Sequence, residues 1–203
     1  MNKRLLILII LSIVFCNAVV AQVENYTIDF KFGLGRSKLI TFGNTNELFG
    51  NQWGNRVFAG IGYKGIHLNV GIQGYNEGLN KPLNYNNIII PQHSSFSNQY
   101  VDFTVSYEYE LVNRLYIEPS IGYARVRTVT NVLDTAGDEY NLESINGFST
   151  GVYITKYLRL QKGFYLGPFI NFSYDLIDYR LWNSDLDMNS IRMFFGVVLK
   201  GTN

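Results

Sequence analysis

Val101-Asp102-Phe103-Thr104-Val105-Ser106-Tyr107-Glu108-Tyr109-Glu110 alternates apolar and polar side chains without a break. A period of two belongs to a strand with one greasy and one wet face, because successive Cβ atoms point to opposite sides of the sheet. The same scheme recurs on both sides of this stretch. Upstream, Tyr26, Ile28, Phe30, Phe32 and Leu34 oppose Asp29 and Lys31. Val57, Ala59, Ile61 and Tyr63 then oppose Arg56 and Phe58, and Ile66, Leu68, Val70 and Ile72 oppose His67 and Asn69. Downstream, Leu115 to Tyr123, Phe148 to Ile154, Phe164 to Tyr174 and Ile191 to Leu199 repeat the pattern. That makes eight strands.

The connections sort themselves by length. Strands two and three meet at Lys64-Gly65, four and five at Leu111-Val112-Asn113, and six and seven within residues 157–163. The other links, residues 36–55, 77–99, 129–146 and 176–189, read as long and polar. Strict alternation of short and long links suits a membrane barrel with tight periplasmic turns and longer outer loops. The expected fold is all-β, an eight-stranded antiparallel up-and-down transmembrane barrel, with a soluble periplasmic calyx as the alternative.

The N-terminus supports export. Asn2-Lys3-Arg4 precedes the apolar run from Leu5 to Phe15, and Val19-Val20-Ala21 fits a cleavage site after Ala21. Residues 1–21 are therefore expected to be a signal peptide and residues 22–203 the barrel domain. The only cysteine, Cys16, would leave with the signal, so the mature chain implies no thiol chemistry. A net charge of +1 without clustered Lys or Arg argues against nucleic acid as a partner.

In a lipid-spanning barrel the apolar face looks outward. The opposite set here includes Asp29, Lys31, Arg56, Asp102, Glu108, Glu110, Glu118 and Arg192, charges of both signs that can pair inside a narrow lumen. Tyr26, Tyr63, Tyr107, Tyr109, Tyr123 and Tyr174 stand near the ends of the apolar set, as interfacial girdles do. Beyond Tyr123 the outward parity reaches Arg125 and Arg127. Either they sit above the hydrocarbon, within reach of lipopolysaccharide phosphates, or a bulge changes the register.

The signal, the eight amphipathic strands and the alternating links resemble the small outer-membrane barrels of the OmpA/OmpX type. That resemblance implies a location in the Gram-negative outer membrane and contact with its lipid and lipopolysaccharide. It also implies a monomer, and a structural, adhesive or binding role for the outer loops rather than general diffusion. Such barrels commonly end on an aromatic residue, whereas here Phe194 and Phe195 lie inside the last strand.

Chemistry is sparse. His93 and Ser95 have the two-residue spacing of the base and nucleophile in outer-membrane lipid A deacylases, but they follow Pro91 in a long link with no acid partner in view. A lipid-modifying enzyme is the alternative function resting on them. His67 reads as a lumen residue. Asp134-Thr135-Ala136-Gly137 departs from the aspartic protease turn, and Asp175, Asp178, Asp185 and Asp187 lack the spacing of a calcium loop. No catalytic, cofactor or metal site is expected. The outer links carry Phe42, Phe49, Trp53, Tyr179 and Trp182, expected to present a surface to partners.

Overall fold

The computed structural model describes residues 28–86, 88–133 and 139–202. In chain order the elements are β1 (Ile28–Thr41), α1 (Gly43–Phe49), β2 (Gln52–Tyr63), β3 (Ile66–Gly78), β4 (Leu83–Tyr85) and β5 (Ile88–Ile90). There follow β6 (Ser95–Tyr107), β7 (Tyr109–Val112), β8 (Leu115–Leu133), β9 (Glu139–Lys156) and β10 (Leu158–Gln161). β11 (Phe164–Asp178), a 3-10 turn (Tyr179–Leu181) and β12 (Met188–Thr202) complete the chain.

β7 carries β6 onward past Glu108, and β10 carries β9 onward past Tyr157. The hydrogen-bonded sheet is thus a ring of eight staves in the order β1, β2, β3, β6/β7, β8, β9/β10, β11, β12. Every pairing is antiparallel, and β12 closes onto β1 from Asp29↔Thr202 to Thr41↔Ser190. Closure leaves no unpaired edge, which a sheet in lipid requires.

Two of the tight turns follow from their residues. Lys64 and Gly65 have φ 50 and 82, and Asn113 and Arg114 have φ 48 and 64. Positive φ at both central positions is the primed turn whose twist matches a two-residue hairpin. The second turn lies one residue later than the sequence suggests, because Leu111 and Val112 still belong to β7, with Val112 paired to Leu115.

The strand faces are as the alternation predicts. Phe30 (57% exposed), Phe103 (52%) and Ile121 (64%) look outward, while Lys31, Asp102 and Ser120 are buried. Glu110 is an exception. The strand is interrupted at Glu108, and beyond it Glu110 stands exposed near the turn, accepting from the Arg114 backbone N–H and the Tyr116 hydroxyl. Residues 1–21, expected to be a signal peptide, Tyr26 and residues 134–137 fall outside the described residues.

The long polar links are the main correction. The two ends of each link continue the strands, from 36–41 and 52–55 on β1 and β2 to 176–178 and 188–189 on β11 and β12. Above the outward apolar belt the pattern inverts: Leu39, Tyr75, Phe96, Tyr100, Val126, Ile145 and Ile177 point inward and are buried. Arg36, Gln99, Arg125, Arg127 and Asn146 point outward on the same staves. The wall has left lipid for water there, so the apolar side must turn to the axis to be buried. Arg125 and Arg127 keep the parity of Tyr123, and β6 pairs with β8 without a register shift from Phe96↔Thr130 to Ser106↔Ser120.

Candidate functional site

The lumen is filled in tiers. At the end carrying the short turns, Lys31 Nζ lies 2.7 Å from Glu108 and 2.8 Å from Glu118. Lys200 bonds Glu108 and lies 3.3 Å from Asp29. The buried ring of His67 sits between two carboxylates, Nε2 3.8 Å from Asp29 and Nδ1 3.8 Å from Glu118. Asp29, His67 and Glu108 each offer a ligand atom within 4.8 Å of the others. The Lys200 ammonium bridges the two carboxylates of that trio and already supplies the cation.

An aromatic layer lies above. Phe58, Phe169 and Phe194 meet edge to face, with Phe169 and Phe194 centroids 4.5 Å apart. The Arg56 guanidinium covers Phe194 at 5.0 Å. Next comes a ring of charge. Asp102 accepts from Arg56 and from Arg192, each at 2.8 Å, and Arg192 also holds Asp175. Gln73 donates to Asp102, Tyr75 to Gln73, Arg56 to Tyr153, and Arg192 to Ser149. The arginines and aspartates match in number and are hydrogen-bonded from several sides, the condition for keeping ions away from water. Glycine makes room for them: a Cβ on Gly71 would meet Arg56 Nη2 and Asp102 Oδ1 at 2.7 Å each.

The outer mouth is closed by an apolar cap. α1 is too short to be stable alone, and it is held by Leu48 and Phe49, both buried. Phe49 meets Phe96 and Trp182 edge on, and Leu79, Leu83, Tyr85 and Ile90 bring the β4–β5 hairpin into the same core. Polar latches tie the connections to one another. Asn44 N donates to Asp187 at 2.6 Å, and Thr45 exchanges bonds with the Asp187 backbone. Trp182 Nε1 donates to Glu143 O at 2.6 Å, Glu143 N to the Tyr85 hydroxyl, and Asn183 to Asn84 O. Asp178 is clasped by Arg180, whose hydrogen bonds hold its carboxyl below the usual range.

Several expected residues take other places. Phe49, Tyr179 and Trp182 are buried in the cap and present no surface, whereas Phe42 and Trp53 remain exposed. Trp53 lies on the outer wall, under Lys38 at 5.3 Å and against Phe195. Asp175 is a lumen residue, not a neighbour of Asp178, Asp185 and Asp187 in a loop. His93 is exposed at φ 66, with its N–H donating to Leu79 O, and Ser95 opens β6 with its N–H on Asn131 Oδ1. Among the described residues no hydrogen bond joins their side chains, and none links either to a carboxylate. The cap core could have been read from Tyr75, Phe96, Tyr100 and Ile177, inward on strand parity once the strands are allowed to continue.

No protein-family model matches the chain, and no curated protein matches it in sequence. Solved structures do match. Neisserial surface protein A superimposes with a TM-score of 0.52 at 9% identity, over 86% of this chain and 96% of that one. Ail of Yersinia pestis, solved with the heparin analogue sucrose octasulfate, gives 0.53 at 10% identity, over 86% and 98%. OprG of Pseudomonas aeruginosa gives 0.52 at 8%, over 85% and 95%. At such identities the likeness is one of architecture, and the chain has the fold of the small eight-stranded outer-membrane barrels.

Proposed function

We propose that this protein is exported through a cleaved leader of residues 1–21 and resides in the outer membrane as a monomeric anchor. Its closed outer cap is the working surface, binding or adhesive, and the barrel is not a diffusion pore. The filled interior carries this reading. A solute would have to disrupt the cap core, the Arg56–Asp102–Arg192–Asp175 ring, the aromatic layer and the Lys31–Glu108–Lys200 cluster in turn. Nothing in that sequence suggests a path.

The cap also limits the partner. Residues 42–51, 79–94 and 179–187 carry three carboxylates against two Lys or Arg. With no excess of positive charge, such a surface suits a sulfated polyanion like the one bound to Ail poorly, and a neutral or basic partner suits it better. Phe42, Ile89 and Leu181 supply exposed apolar contacts on these connections. Planar-bilayer recording with the purified protein tests the pore question, and no unitary conductance is expected. Cells displaying the protein with residues 83–90 replaced by a short Gly-Ser link should lose surface binding yet keep the barrel in the outer membrane. Steady conductance would reject the anchor reading, and unchanged binding by every such loop variant would reject the cap. The mass of the mature chain checks the cleavage site.

A further inference from the structure

The outer wall carries two pairs of basic residues that the lumen network does not use. On β1, Arg36 and Lys38 follow Leu34, which is 51% exposed and faces outward. On β8, Arg125 and Arg127 follow Tyr123 in the same way. Within each pair the residues are two apart on one face, so their side chains rise together. In the stave order β1 and β8 are four apart in a ring of eight, on opposite sides of the barrel.

Their surroundings suit an anion. Arg36 has only the neutral Asn55 carbonyl oxygen at 3.0 Å, and Arg127 only Asn141 at 3.3 Å. Lys38 lies over the Trp53 ring. Among the described residues none of the four is ion-paired. On β9 the exposed Glu143 stands across the bulge from Arg127, with no ion pair between them. Neutral Asn55, Gln99 and Asn146 flank the pairs on adjoining staves. Below lies the apolar belt and above lies the cap, so a ligand here needs negative charge at this height and hydrocarbon beneath it.

We infer that the two pairs are lateral docking sites for the phosphate groups of a glycolipid in the outer leaflet, one site on each side of the barrel. This rests on the outer-membrane reading above. Acyl chains would lie against Leu34 and Ile121 while the phosphates meet the cations, and placing the pairs on opposite staves lets two lipids bind independently.

The test is native mass spectrometry of the detergent-purified protein with bisphosphorylated lipid A, with the same lipid stripped of phosphate, and with inorganic phosphate as competitor. Two tightly held phosphorylated lipids are expected, with binding at least about tenfold weaker for the stripped lipid. R125Q/R127Q and R36Q/K38Q should each remove one lipid, R125K/R127K should retain it, and E143Q should tighten the β8 site. Variants are compared after their heat-modifiable migration shows a folded barrel. Equal binding of both lipids, unchanged stoichiometry in both Gln variants, or displacement by equimolar inorganic phosphate would overturn the inference. A folded, membrane-integrated protein that ignores phosphate removes the docking sites alone. A protein that never partitions into membranes removes the outer-membrane reading itself.

Discussion

Arg192 grips Asp175 through two parallel hydrogen bonds in the middle of the lumen, Nε to Oδ2 at 2.5 Å and Nη2 to Oδ1 at 2.8 Å. The residues belong to adjacent staves β12 and β11, and both are buried. Since Arg192 also reaches Asp102, which holds Arg56, this contact is one link in a ring fastening opposite walls of the barrel.

Removing Asp102 should be the most damaging change in that ring, because it strips a partner from two buried guanidiniums at once. D102A is expected to cost about 3–5 kcal/mol, and D175A less, since Arg192 keeps Asp102. Urea titration followed by heat-modifiable migration gives the order. The ring would lose its assigned role if D175A proved the worse of the two.

The cap should fail separately from the wall. F49A removes a ring lodged between Phe96 and Trp182, with an expected loss of about 3–5 kcal/mol in local stability. Limited proteolysis should then cut within residues 42–51 and 79–94 while the barrel still migrates as folded. Simultaneous loss of both would show that cap and wall unfold together.

Lipid exposure predicts a contrast along one stave. On β6, F103R puts a cation into the apolar belt and should destabilise the inserted barrel by about 2–4 kcal/mol. Q99R lies four residues nearer the cap, outward and level with Arg127, and should be close to neutral. Folding titrations into phospholipid vesicles compare the two. Equal costs would place the hydrocarbon boundary elsewhere.

H93A and S95A should leave stability and the lipid A of producing cells unchanged, since both side chains are exposed and the structure gives His93 no acid to orient it. Mass spectrometry of extracted lipid A checks this. A deacylated species present with the native chain and absent with H93A would make the protein an enzyme.

The sequence announces the lipid-spanning part well. Phe30, Phe32, Val105, Ile121 and Val197 declare their face because one rule, apolar outward, holds along the belt. It hides what lies above. At Leu34 and Arg36 on β1, and at Tyr123 and Arg125 on β8, the rule changes sign, so a reader following one phase sees the strand dissolve into a polar loop. Leu39, Val126 and Ile145 then look like stray apolar residues, although they are the inner face of the same wall. The basic pair on β1 is lost for the same reason, because Arg36 and Lys38 fall in the presumed loop. The ionic lumen was legible as a set of inward charges. Which aspartate meets which arginine depends on stagger around the barrel, and no local pattern encodes that.

The apolar face looks out at acyl chains and the ionic face lines a filled axis. Single cysteines at Phe30, Phe103, Ile121 and Val197, in a chain with Cys16 replaced by Ser, can be spin-labelled in bilayers. Accessibility to oxygen and to a water-soluble nickel chelate then reports each environment. Labels at these four sites should see oxygen and exclude nickel, while labels at Arg36 and Arg125 should see nickel. Labels at the four sites shielded from both probes would mean that these side chains pack inside the molecule, and would contradict an outward apolar face.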